Sequence, residues 1–229
     1  TGAASTNWSD AANWSEITPP GAGEDVVVPN VGMRPWIAEA TPEFHSLTLA
    51  AGQTLTQLGW DSALTAIEMQ IDGTVRHGIN PGQTNSVGEW QPLHRILLVG
   101  SNITVNGTLD ANGLGFRRYA GPGRSSTTYS GGGYGTVGGW GFGHGYYSGG
   151  PEYGDPAMPE LPGSGGGSID KSREGGGAIR IVAGGHLAVS GTISANGVNG
   201  ASNHGGGGSG GGIWLTCRTF GGQSSGVVQ

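Results

Sequence analysis

Short runs in which apolar and polar residues alternate recur along the chain, and each is broken by glycine or asparagine. Residues 95–113 align without gaps on residues 179–197. Their cores are Val105-Asn106-Gly107-Thr108-Leu109 and Val189-Ser190-Gly191-Thr192-Ile193, and a third copy is Ile71-Asp72-Gly73-Thr74-Val75. A looser copy starts at Gly212-Ile213-Trp214-Leu215 and reaches Gly226-Val227-Val228. An earlier one is Leu47-Thr48-Leu49, followed by Ala51-Gly52-Gln53-Thr54-Leu55. Alternation with period two predicts strands with one buried face. The glycines suit positive φ at the corners, and Asn112 and Asn196 suit the same left-handed geometry.

One such unit cannot bury its own apolar face, whereas stacked units seal a continuous interior. The pattern therefore predicts an all-β chain, a right-handed parallel β-helix (solenoid) with a capped N-terminus and a long glycine- and aromatic-rich insertion. A β-sandwich is the rival. It calls for antiparallel hairpins with turns every ~8–12 residues, but the copies here are separated by long irregular insertions. Only residues 62–69 carry much helical propensity, and they also read as the approach to a strand.

Residues 1–229 read as a single domain. Residues 1–60 form the N-terminal cap and first coils, with Trp8 and Trp14 expected to plug the first coil; stacking on a sugar is the alternative for that pair. Residues 113–177 are the insertion, carrying Tyr119, Tyr129, Tyr134, Trp140, Phe142, His144, Tyr146, Tyr147 and Tyr153. A structureless loop of that length is unusual in a compact domain, and so many aromatics call for burial. The glycine runs 163–167 and 205–212 are flexible by composition, or else pack as extended segments because no side chain blocks close backbone approach. The end at Gln229 is what a piece of a longer chain, or a subunit covered by a neighbour, would show.

The early segments Trp8-Ser9-Asp10-Ala11-Ala12-Asn13-Trp14, Pro20-Gly21-Ala22-Gly23-Glu24-Asp25-Val26-Val27-Val28-Pro29, Ser46-Leu47-Thr48-Leu49-Ala50-Ala51-Gly52-Gln53-Thr54-Leu55 and Ile71-Asp72-Gly73-Thr74-Val75 come in a telling order. Over about residues 7–78 the chain resembles the start of bacterial surface β-helix proteins. The same span is similar to the eight-glycine domain at the head of animal cell-surface hyaluronidases. Gly175-Gly176-Gly177-Ala178-Ile179-Arg180-Ile181 and Gly191-Thr192-Ile193-Ser194-Ala195-Asn196-Gly197 resemble glycine-rich bacterial surface proteins with repeated units. The resemblance implies the fold and an extracellular or cell-surface location. It carries over no catalytic residue.

Composition narrows the function. Glycine numbers 50 of 229 residues, charged residues are 11%, and the net charge is −6. An acidic chain whose few cations are scattered, Arg117-Arg118 excepted, does not read as a nucleic-acid binder. No stretch reaches the ~18 apolar residues of a membrane span. Cys217, the sole cysteine, lies in an apolar run and reads as buried and inert. The histidines at 45, 77, 94, 144, 186 and 204 lack metal-ligand spacing. Asp110, Asp155, Asp170 and Glu174 offer oxygens for calcium but no calcium-loop spacing, so no cofactor is expected. The sequons at Asn7, Asn13, Asn102 and Asn106 matter only in a eukaryotic secretory pathway.

Glycoside cleavage uses two carboxylates, and Asp72 and Asp110 are the candidates on repeat strands, with Glu68 near Asp72. A lyase needs a base and a cation to neutralise a sugar acid, which brings in His94, Arg95, Arg117, Arg118 and Arg124. For ligand binding the candidates are Trp140, Tyr146, Tyr147 and Tyr153, because aromatic faces stack on sugars and pack on proteins. Two readings stay open. One is an extracellular structural or adhesive module that binds polysaccharide or a surface protein, or self-associates end to end. The other is a polysaccharide-degrading lyase or hydrolase.

Overall fold

A computed structural model of the protein describes residues 4–142, 145–167, 173–200 and 205–229. His144, Asp170 and His204, considered above as metal ligands or aromatic-loop residues, lie outside the described residues. Two parallel sheets carry the fold. The first joins β1 (Asp25–Val28), β3 (Phe44–Leu49), β5 (Leu64–Ile71), β9 (Ile96–Val105), β13 (Ile179–Ala183) and β16 (Ile213–Thr216) in that order, with β14 (His186–Val189) and β17 (Thr219–Gly221) continuing its far half. The second joins β2 (Trp36–Ile37), β4 (Thr54–Gln57), β6 (Thr74–His77), β10 (Thr108–Asp110), β15 (Thr192–Ser194) and β18 (Val227–Val228). Two antiparallel hairpins stand apart: β7 (Gln83–Thr84) with β8 (Trp90–Gln91), and β11 (Gly141–Phe142) with β12 (Tyr146–Tyr147). Residues 62–69, the one stretch with helical propensity, run into strand β5.

Over the repeat cores the alignment is the pairing register, but β13 pairs with β9 one residue out of it, Ile179 standing beside Ile96 rather than Arg95. Ile71 faces Val105, and Val105 faces Val189; Thr74, Thr108 and Thr192 likewise stand side by side. All pairings in both sheets are parallel, so the antiparallel sandwich is not the arrangement. The alternation explains the core. Leu55, Val75, Leu109 and Ile193 form one fully buried column, and Leu49, Ile71, Val105 and Val189 form another. Each such side chain stabilises the fold by roughly 1.5–3 kcal/mol. The intervening residues face outward and pair between rungs: Asn106 Nδ2 donates to Asp72 Oδ1 at 2.8 Å, and Asn102 Nδ2 to Glu68 Oε1 at 2.7 Å.

The corner glycines divide: Gly52 and Gly113 take the expected positive φ, at 79° and 64°, whereas the others answer to a different cause. Gly73, Gly107 and Gly191 are not among the positive-φ residues, and neither are Asn112 and Asn196. Glycine is required there by stacking. A Cβ on Gly107 would lie 2.0 Å from the Gly73 carbonyl oxygen, and one on Gly191 would lie 1.9 Å from that of Gly107. The corners of successive rungs rest on each other backbone to backbone.

The glycine runs of the insertion follow the second expectation, extended and tightly packed. Gly163 and Gly166, three residues apart, donate N–H to the carbonyls of Gly176 and Arg173. Gly165 instead donates to Ala120, and Gly167 to Ser130. Returning the other way, Gly206 and Ser209 donate to Gly167 and Ser164, again three apart. Donors that turn to several different neighbours along extended glycine segments find their partners only where those segments pack together in a bundle. Close approach excludes side chains: a Cβ at Gly167 would meet the Thr127 carbonyl oxygen at 1.7 Å. The bundle joins the sheets where Gly177 donates to Ala111 and Gly211 to Ala195.

At the N-terminal end, Trp8 is buried against the core, with Trp14 edge-on at 4.6 Å and Phe44 stacked at 6.2 Å. Trp14 Nε1 donates to the Trp8 carbonyl. Asn13 holds the segment together: its Oδ1 accepts from Ala4 and Ser5, while its Nδ2 donates to Ser5 and to the Asn7 carbonyl. With both neighbouring rings against Trp8, this pair acts as packing rather than as a sugar platform.

Candidate functional site

The repeat carboxylates are engaged separately. Asp72 accepts from Asn106 and Gln70 at the edge of the first sheet. Asp110, on β10 of the second sheet, pairs with Arg76 Nε at 3.1 Å and accepts the Asn112 N–H. Register explains the ion pair, since Asp110 stands beside Arg76 on the neighbouring strand. His94 packs against Gly78 and Leu58, and Asn80 accepts its N–H. Burial pushes its imidazole pKa below the ordinary value, against the raising effect of the Leu58 backbone. Among the described residues no hydrogen bond or ion pair links His94 to Asp72 or Asp110.

The arginine group does assemble. Residues 117–120 form a tight turn in which Ala120 N–H donates to the Arg117 carbonyl at 2.9 Å and Tyr119 takes a left-handed φ of 58°. Arg117, Arg118 and Arg124 are exposed. The Arg118 guanidinium lies 5.7 Å from the Tyr119 ring centre, and that of Arg124 lies 5.3 Å from Trp90. Trp90 meets Phe116 edge to face at 6.0 Å, which brings the β7–β8 hairpin against the insertion.

The aromatic candidates divide. Trp140 and Tyr146 are 72% and 79% exposed around the β11–β12 hairpin. Tyr147 is half-buried and stacks on Tyr129 at 5.4 Å. Tyr153 serves the bundle interior: its hydroxyl donates to the Pro162 carbonyl and accepts from Ser164, and its ring meets Tyr134 edge-on at 5.0 Å. Burial raises its phenol pKa well above the ordinary value. The outward-facing pair is therefore Trp140 and Tyr146.

Arg95, which stands next to His94 among the lyase candidates, enters a cluster where β9, β13 and β16 begin, with partners the sequence does not announce. Arg95 donates Nε to the Trp60 carbonyl, Nη2 to Asp61 and Nη1 to Glu160, with its guanidinium 4.5 Å from the Trp60 ring centre. One strand on, Arg180 stands beside Trp214 in register and stacks on it at 3.2 Å. The partners of Arg95 are 34 and 65 residues away in sequence. Only the repeat alignment offered a signal, since it places Arg180 in the copy that follows Arg95.

Cys217 is half-buried against the core beside Leu215. Among the described residues no group of three His, Cys, Asp or Glu side chains could hold a metal ion, and no helix is long and apolar enough to cross a membrane. The arrangement offers cations and aromatic faces at the surface, and carboxylates already tied to partners. Comparison with protein-family models, with curated proteins and with solved structures returned no significant match.

Proposed function

We propose that the chain is an extracellular structural or adhesive module, a right-handed parallel β-helix that binds polysaccharide through its glycine- and aromatic-rich insertion. The exposure of Trp140 and Tyr146 carries this reading. Large aromatic side chains left in water on a well-packed support mark an interaction surface. Their rings stack on the C–H faces of sugars, and the glycines around them let a polymer approach the backbone. Parallel strands joined by crossovers take the right-handed sense in nearly all proteins, and the two-sheet order fits a solenoid of successive coils. A row of coils makes a rod suited to display. End-to-end self-association is a second form of this reading, tested by the oligomeric state of the purified chain.

The test is binding of the purified chain to a panel of soluble and insoluble polysaccharides, with Trp140→Ala/Tyr146→Ala as the paired variant. The reading expects binding to at least one glycan and a tenfold or greater loss in the variant. A chain that stays monomeric and binds none of the panel sinks it.

A further inference from the structure

We infer that the turn at residues 117–120, with Arg124 and the Trp90 ring, is a second contact site, and that its ligand is an acidic polysaccharide bearing carboxylate or sulfate groups. The inference rests on the reading of the chain as a glycan-binding module and names the class of glycan.

Charge placement is the first argument. The chain has ten lysines and arginines and a net charge of −6, yet three arginines fall within the eight positions 117–124. All three are exposed. Arg117 and Arg124 have no carboxylate within salt-bridge distance among the described residues. By contrast, Arg76 and Arg95 are spent on Asp110, Asp61 and Glu160. A local concentration of exposed cations on an acidic body attracts a polyanion to that spot and repels it elsewhere, which sets register.

Preorganisation is the second. Cation–π contact with Tyr119 and Trp90 restrains the Arg118 and Arg124 guanidinium groups. A guanidinium offers the forked N–H donors that grip a carboxylate or sulfate with two hydrogen bonds. The support is rigid. Ala120 accepts the Gly165 N–H at 3.0 Å, and a Cβ on Gly165 would sit 2.0 Å from the Arg117 carbonyl oxygen, so the turn rests directly on the glycine bundle. Beneath it, a Cβ on Gly82 would lie 2.4 Å from the Ala120 methyl and 3.6 Å from Trp90, which locks the β7–β8 hairpin to the turn. Ordering costs on binding are correspondingly small.

Strain is the third. Tyr119 is one of two non-glycine residues with positive φ among those described. That conformation is strained for a side-chain-bearing residue and collects at ligand clamps. Here it turns Arg118 and Tyr119 to solvent side by side.

The experiment uses the full chain and reads binding to four probes: polygalacturonate, dextran sulfate, neutral dextran and oligo-thymidylate. The variants are Arg117→Gln/Arg118→Gln/Arg124→Gln, with an unchanged melting curve as the check on folding, and Trp140→Ala/Tyr146→Ala. Polygalacturonate or dextran sulfate should bind. The triple arginine variant should weaken that binding at least tenfold, and raising salt from 50 to 200 mM should weaken the wild type far more than the variant. Preference for one of the two polymers distinguishes carboxylate from sulfate as the recognised group. Equal binding of the acidic polymers by wild type and triple variant overturns the inference, as does oligo-thymidylate bound as tightly through the same arginines. If neutral dextran binding is lost only in the Trp140/Tyr146 variant while acidic polymers do not bind, the inference fails and the broader reading stands. If no glycan binds, both fail.

Discussion

His77 Nε2 accepts the Ala178 N–H at 3.2 Å, joining two residues 101 positions apart in sequence inside the fold. The Nδ1–H of the same ring donates to the Gly78 carbonyl at 2.7 Å, which fixes the tautomer as neutral with its lone pair on Nε2. Gly177 leaves the room, since a Cβ there would lie 2.0 Å from Nε2. Gln57, in register beside His77, does the same for β9: its side-chain amide accepts the Leu97 N–H and donates to the Leu97 carbonyl. Two polar side chains of the second sheet thus replace missing ladder partners where strands of the first sheet begin.

Acid should therefore loosen the fold through His77. Desolvation lowers its pKa from 6.5 to about 3. Between those values the unfolded chain binds a proton that the folded chain refuses, so stability rises with pH across the window and levels off above 6.5. The slope attributable to this group approaches about 1.4 kcal/mol per pH unit within it. Urea titrations of wild type and His77→Gln from pH 4 to 8 check this. The difference between them should shrink as pH falls, because the variant lacks this titration. Parallel curves would remove His77 as the cause.

Corner packing makes a sharper prediction. Gly191→Ala drives a methyl group to 1.9 Å from the Gly107 carbonyl oxygen, and the neighbour is backbone that cannot yield alone. Overpacking of this kind costs about 1–3 kcal/mol and occasionally more. Gly139→Ala is the control, because no atom lies within 4 Å of its built Cβ and its φ is ordinary. That change should stay within about 0.5 kcal/mol of wild type, as surface substitutions do. Chemical denaturation separates the two. Equal effects would mean that the corners do not stack as described.

The legible part of the fold was its one-dimensional part. Val105 and Val189 announce their pairing because each rung repeats the inward positions of the last, and a parallel register copies sequence alignment directly. The position of Asp110 beside Ser194 was readable for the same reason. What the alignment cannot carry is contact between non-equivalent residues. The Arg95 links to Asp61 and Glu160, the His77 link to Ala178 and the neighbourhood of Arg124 and Trp90 join segments with no shared pattern. Corner glycines were recognised, but Gly52 and Gly113 serve positive φ while Gly73, Gly107 and Gly191 serve close approach, and the two needs look alike as a letter. The insertion shows the same ambiguity. Gly163 and Gly175 read equally as linker or as packed backbone until their hydrogen-bond partners are known.

Asn80 should prove costly to replace despite its polarity. It is fully buried, its Oδ1 accepts from Leu93 and His94, and its Nδ2 donates to the carbonyls of His94 and Leu114. Asn80→Leu removes these partners from the Leu93 and His94 N–H groups and the His94 carbonyl, while the Leu114 carbonyl keeps the Asn80 backbone N–H. Each buried group left unsatisfied costs on the order of 1–3 kcal/mol. Asn80→Leu should therefore lower stability by at least about 3 kcal/mol, read as a shift in urea midpoint with an unchanged slope. A loss below ~1 kcal/mol would show that water or backbone movement supplies the missing partners.

Arg95 tests whether its cluster is a clamp or surface decoration. Its side chain is 11% exposed, and three of its nitrogens donate to Trp60, Asp61 and Glu160. A lysine keeps the charge but cannot satisfy three diverging acceptors or lie flat on Trp60. Hydrogen bonds to charged groups contribute about 1.5–3 kcal/mol, so Arg95→Lys should destabilise by roughly that amount in thermal or urea unfolding. Asp61 is 85% exposed, and an ion pair at that exposure is worth little against solvent screening. Asp61→Asn should therefore change stability by less than about 0.5 kcal/mol. The two variants remove different parts of one contact, so their ratio carries the argument: a large arginine effect with a small aspartate effect identifies the planar hydrogen-bonding group, not the charge pair, as what ties residue 60 to residue 160. Equal small effects would reduce the cluster to surface charge.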